Sequence, residues 1–150
     1  MKMTTRKLWT GDELLIVFNL YLKLPFGQMY AGNPDVVRIA NLISRTPSSI
    51  SFRLGNFAAC DPFHQNRGIK GLPNGKRQCQ PIWDEFFHNK EAVIFKSEQA
   101  LAHKENRVLE AKFKQSLFDT KNLKGMSKII AVKSRVNQYV FRQMVLANYA

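Results

Sequence analysis

Residues 33–57 read NPDVVRIANLISRTPSSISFRLGNF, and two helix starts in that stretch organise the rest of the chain. The first is Asn33-Pro34: the Asn side chain can accept a bond from a free N–H of the opening turn, and Pro at the first helical position sacrifices no hydrogen bond. Val36, Ile39, Ala40 and Ile43 then share one face. Thr46-Pro47 repeats the arrangement, leaving about three residues to turn between the helices. A helix-turn-helix of this spacing suits a reader of DNA. Stepping 100° per residue along the second helix gathers Ile50, Leu54 and Phe57 as core. Ser48, Ser49, Phe52 and Asn56 then point outward, with Arg53 on the margin and Arg45 in the turn. Arg can pair with guanine, Asn with adenine, and an apolar group can touch the thymine methyl in the major groove. The plainer alternative is two helices of an ordinary α-helical domain with a solvated Ser-rich face.

At 150 residues and 17.3 kDa the chain is one domain's worth and long enough to hold a core without staples. Its 23 basic and 11 acidic residues give a formal charge of +12, which points first to a polyanion such as nucleic acid. A membrane is not expected as partner: no run approaches the roughly 18 apolar residues of a span, and no basic amphipathic segment is clean enough to lie in an interface. Residues 1–10 also lack the apolar stretch of a signal peptide, so a cytoplasmic location is expected. Cys60 and Cys79 should remain thiols there. With His64 and His88 they form C-x3-H-x14-C-x8-H, not a usual tetrahedral zinc spacing, so no metal and no cofactor are assigned.

Thr10-Gly11-Asp12-Glu13 is a T-x-x-E capping box before the apolar run 14–24, where Leu14, Val17, Phe18, Tyr21 and Leu22 make a stripe wide enough for a central core helix. Pro25 and Gly27 end it. The expected fold is therefore mainly α: a homeodomain-like three-helix core whose third helix reads. Residues 61–81 change composition. Gly68, Gly71, Gly75, Pro62, Pro73 and Pro81 argue against a long helix, and Asn74-Gly75 signals a tight turn. Arg67, Lys70, Lys76 and Arg77 lie there with no acid between Asp61 and Asp84. The segment is expected to be a basic loop or wing that grips phosphate; the plainer reading is a mobile, solvated loop.

Further helices follow. Residues 81–87 read as a short helix with Pro81 in its first turn and Trp83 packing into the core. In 91–114, Ile94, Leu101 and Val108 recur every seven residues, and Glu110 and Lys114 form an i,i+4 pair, as in an exposed strut or a helix that pairs in a homodimer. Residues 121–135 carry Lys121, Lys124, Lys128, Lys133 and Arg135 without an acid and read as a basic linker. Helix resumes at 136–149 and stops with the chain, as though something normally follows it. The expected division is a DNA-binding domain over 1–90, a helical and basic connector over 91–134, and the start of another helix over 135–150.

Taken together, the blocks WT at 9–10, LKLPFG at 22–27, NP at 33–34, RTPSSI at 45–50, RLGNF at 53–57, GIKGLPNG at 68–75, IWDEF at 82–86, RVNQ at 135–138 and FR at 141–142 are spread over most of the chain's length. They resemble the N-terminal, non-catalytic region of bacterial HNH endonucleases of the restriction type. The resemblance implies a module that targets double-stranded DNA. In that family the segment similar to 135–147 leads into a ββα-metal nuclease, to which a divalent metal would belong. His64, His88 and His103 fall in none of the family's catalytic blocks, so no catalytic residue carries over. A stand-alone DNA-binding regulator, or a nuclease with a site of another design, are the alternatives.

Overall fold

A computed structural model describes residues 8–66, 68, 73–115 and 117–149. Among these residues the fold is helical throughout, with α1 (Gly11–Lys23), α2 (Pro34–Leu42), α3 (Pro47–Cys60), α4 (Pro62–Gln65), α5 (Pro73–His88), α6 (Lys90–Lys104), α7 (Leu109–Lys112) and α8 (Gly125–Tyr149), and no strand. Single 3₁₀ turns lie at Phe26–Gln28 and Phe118–Thr120. No helix of the described residues is long and apolar enough to cross a membrane.

The capping residues do what their chemistry dictates. The Thr10 hydroxyl accepts from the Glu13 N–H at 3.2 Å while the Glu13 carboxylate accepts from the Thr10 N–H at 3.0 Å, closing the box at the start of α1. Asn33 accepts from the Asp35 N–H, and Thr46 from the Ser49 N–H. α1 is buried around most of its circumference and packs on α2, α3, α6 and α8. Phe18 stands at the centre, its ring within 5.1 to 5.2 Å of those of Phe57, Trp83 and Phe86. Ile50, Leu54 and Phe57 are fully buried on α3, and Trp83 donates its indole N–H to the Phe57 carbonyl at 2.8 Å. A smaller cluster of Phe113, Leu117, Val132 and Val136 seats the first half of α8.

Three expectations are corrected. α5 starts at Pro73 and carries Pro81 in its interior, although the Gly and Pro content of 61–81 argued against a long helix. Gly75, Cys79 and Trp83, spaced by four, line one buried side of α5, and that burial outweighs the bond Pro81 cannot donate, because Pro81 and Arg77 both face solvent. The repeat over 91–114 is broken: α6 ends in a Schellman motif with Asn106 at φ 56°, where Arg107 N–H reaches the Ala102 carbonyl and Asn106 N–H the His103 carbonyl. Ile94 and Leu101 are core, whereas Val108 is exposed. The basic segment 121–135 is no linker from Gly125 onward, since α8 runs unbroken through it with Val132, Val136 and Val140 facing inward.

One buried polar group ties the bundle together. The Glu98 carboxylate, without solvent exposure, accepts from Asn19 Nδ2 at 2.5 Å and Lys23 Nζ at 2.6 Å, with Lys112 Nζ 3.7 Å away. α1, α6 and α7 thus meet at a charge. Burial pulls the Lys23 ammonium below its ordinary value, and the Glu98 carboxylate works against that pull.

Candidate nucleic-acid interface

The turn between α2 and α3 determines what α3 can present. α2 ends in a second Schellman motif: Ser44 sits at φ 56°, its N–H directed to the Asn41 carbonyl, and the Arg45 N–H donates to the Ala40 carbonyl at 2.9 Å. Thr46 follows at once as the cap of α3. Glycine is the usual residue at such a left-handed position; serine here costs some backbone strain and adds a hydroxyl. Ser44, Arg45, Thr46 and Ser49 line a shallow cleft over the N-terminus of α3. Three hydroxyls and the positive end of a 14-residue helix make that cleft suitable for an anion.

Beyond the cleft, Ser48 is exposed and Phe52 is 67% exposed, one turn apart on α3, with Ser49 half-buried beside them. These three are where the sequence placed them. α3 carries no acidic residue.

The two residues expected to read bases are not on that face. Arg53 and Asn56 are buried against α5. Arg53 Nη1 donates to the Gly75 carbonyl at 3.5 Å and lies 3.9 Å from Cys79 Sγ; the Asn56 amide packs on Gly75. A helical wheel places Arg53 on the margin, and α5 lies along that margin. Arg45 is also engaged: its guanidinium pairs with the Glu13 carboxylate at 3.0 Å, donates to the Leu8 carbonyl at 2.8 Å and stacks 3.8 Å from the Trp9 ring. Arg53 takes a position 4.6 Å from the same ring. Trp9 thus touches two guanidiniums and fastens the segment before α1 to the base of α3.

The basic loop is only partly within view. Arg67 and Lys70 lie outside the described residues. Lys76 and Arg77 stand exposed on the first turns of α5, and the Lys76 carbonyl accepts a weak bond from the Cys60 thiol on α3. Among the described residues, α5, which packs on α3, carries the exposed Lys76 and Arg77, while Arg45 and Arg53 serve packing. Sequence reasoning missed Ser44 and Thr46 as members of the site; the signal was a polar residue where the chain must turn left-handed directly before a cap.

Cys60 and Cys79 are free thiols in the core between α3 and α5. Burial raises the Cys60 thiol above its ordinary range and pushes Cys79 up to about 11, although Arg53 beside Cys79 favours its thiolate. No group of three His, Cys, Asp or Glu side chains able to hold a metal occurs among the described residues. Comparison of the chain with family models, with curated proteins and with solved structures finds no match to any of them.

Proposed function

We propose that this chain binds duplex DNA, with α2 and α3 acting as a helix-turn-helix and the N-terminal half of α3 entering the major groove. The observation that carries the reading is the acid-free strip of exposed Ser48 and Phe52 with half-buried Ser49, beside a hydroxyl-lined cleft at the start of the same helix. Ser44, Thr46 and Ser49 contact the phosphate backbone and position the helix; Ser48 and Phe52 meet base edges, Phe52 against thymine methyls. Lys76 and Arg77 add phosphate contacts beside α3; Arg67 and Lys70, which lie outside the described residues, are proposed to do the same. Arg45 and Arg53 hold the scaffold, so base discrimination rests on hydroxyl and apolar contacts.

The wider role follows the resemblance of the sequence blocks: a cytoplasmic target-recognition region of an HNH-type restriction endonuclease, whose metal-dependent cleavage belongs to a separate nuclease module. Support for that step is the order and extent of those blocks, together with the +12 charge. The test is equilibrium binding to a short duplex across a salt series. Each phosphate contact contributes about −0.9 to the slope of log affinity against log salt, so Lys76→Ala with Arg77→Ala should flatten the slope by roughly two. An affinity indifferent to salt would sink the proposal.

A further inference from the structure

α8 presents a face that nothing among the described residues covers. Its inward line is Val132, Val136 and Val140, yet Met126, Ile130 and Phe141 are 68%, 62% and 62% exposed, and Val145 is exposed as well. At 100° per residue Ile130, Ser134, Phe141 and Val145 fall within about 60° of one another, with Met126 on the edge. Large apolar side chains along several turns of one helix mark an interaction surface. An open groove lies along the same face, lined by Ser127, Ile130, Ala131, Ser134, Arg135 and Gln138. Its small residues leave room for a bulky side chain, and Phe141 projects one turn beyond it.

We infer that the occupant is a second copy of this chain, its α8 antiparallel to the first. The spacing is what an isologous contact requires. Met126 and Ile130 precede the midpoint between Arg135 and Val136 by the same steps at which Val145 and Phe141 follow it. A two-fold axis there sets Phe141 of one copy on Ile130 of the other, in the groove, and Met126 on Val145. The charged border agrees. Arg135 is paired with Asp119, and Lys128 Nζ lies 3.7 Å from the Glu110 carboxylate, so the border carries both signs. Two Arg135–Asp119 pairs meeting at the axis can exchange partners, base to acid. An acidic partner helix would find both of those cations already paired. This surface is distinct from the face of α3 assigned to DNA and from α6.

The test is the solution mass of the full chain by sedimentation equilibrium over a rising concentration series. It is best run in about 0.5 M salt, where a screening length of about 4 Å removes repulsion between two strongly basic chains. The expected result is twice the 17.3 kDa chain mass at the upper concentrations. Ile130→Lys and Phe141→Glu should each give monomers with unchanged circular dichroism, because both side chains are exposed. Mixing the two variants should restore the dimer, since the introduced ammonium would then face the introduced carboxylate at one contact and the native pair would remain at the other. A chain that stays monomeric overturns the inference, as does a dimer that survives both substitutions. Binding to phosphatidylserine vesicles that Phe141→Glu abolishes, with no dimer formed, would assign the face to a lipid surface instead.

Discussion

Gly75 lies so close against the side chain of Asn56 that the Asn56 amide already fills the space a Cβ would need. Two effects oppose each other at this site. Alanine is the better helix former by roughly 1 kcal/mol, which favours Gly75→Ala; overpacking a closed contact costs about 1–3 kcal/mol, which disfavours it. Asn56 is boxed between α3 and α5 and cannot yield, so the clash prevails. Gly75→Ala should lower the midpoint of urea unfolding.

Arg53 and Phe52 are neighbours in sequence with opposite expected phenotypes. Arg53→Ala removes a buried guanidinium that holds the Gly75 carbonyl and lies over Trp9, and should cost about 1–3 kcal/mol of stability. Phe52→Ala alters an exposed side chain and should shift stability by no more than about 0.5 kcal/mol while weakening DNA binding. Thermal unfolding measured beside duplex affinity separates them.

What the sequence showed and hid follows a physical division. Caps are local, so Thr10-Glu13, Asn33-Pro34 and Thr46-Pro47 were legible as helix starts, and the i,i+4 spacing of Ile50 and Leu54, with Phe57 one turn on, named the core face of α3. Which further helix covers a margin is not local, so Arg53 and Asn56 read as outward until α5 is in place. α5 itself was hidden because Gly75, Pro73 and Pro81 are punctuation in isolation; only the buried spacing of Gly75, Cys79 and Trp83 restores the helix. In α8 the line Val132, Val136, Val140 was present in the sequence but masked by the lysines around it. The α6 break at Asn106 was announced by the one common residue besides glycine that accepts a left-handed turn.

Glu98 should be the most costly polar position in the bundle. Glu98→Ala strips Asn19 and Lys23 of their shared acceptor and leaves the part-buried Lys23 ammonium without its counter-charge, a loss of about 3 kcal/mol by chemical denaturation. Lys96→Ala, on α6 like Glu98, breaks only the exposed pair with Glu85 of α5 and should cost less than about 1 kcal/mol.

Cys79 gives the fold a dependence on alkaline pH. Its thiol is held up to about 11 in the folded chain, chiefly by burial, against an ordinary value of 9.0 once unfolded. The folded state therefore retains a proton that the unfolded state releases. This stabilisation, roughly 2–3 kcal/mol, is complete below about pH 9 and is lost as pH rises towards 11. Cys79→Ala should flatten that part of the stability profile relative to wild type, although it lowers stability at neutral pH through the cavity it leaves.

The central claim is that the exposed N-terminal half of α3 lies on DNA, and Ser48→Glu tests it most directly. Ser48 is exposed in the first turn of α3, where a carboxylate interacts favourably with the helix dipole by about 0.3–1 kcal/mol, so the fold should be as stable as wild type or slightly more so. The same carboxylate would face the phosphates. Fluorescence anisotropy with a labelled duplex at constant salt should show affinity falling by tenfold or more, about 1.4 kcal/mol, with the unfolding midpoint unchanged or raised. Wild-type affinity in a folded Ser48→Glu variant would contradict the assignment of this face to DNA.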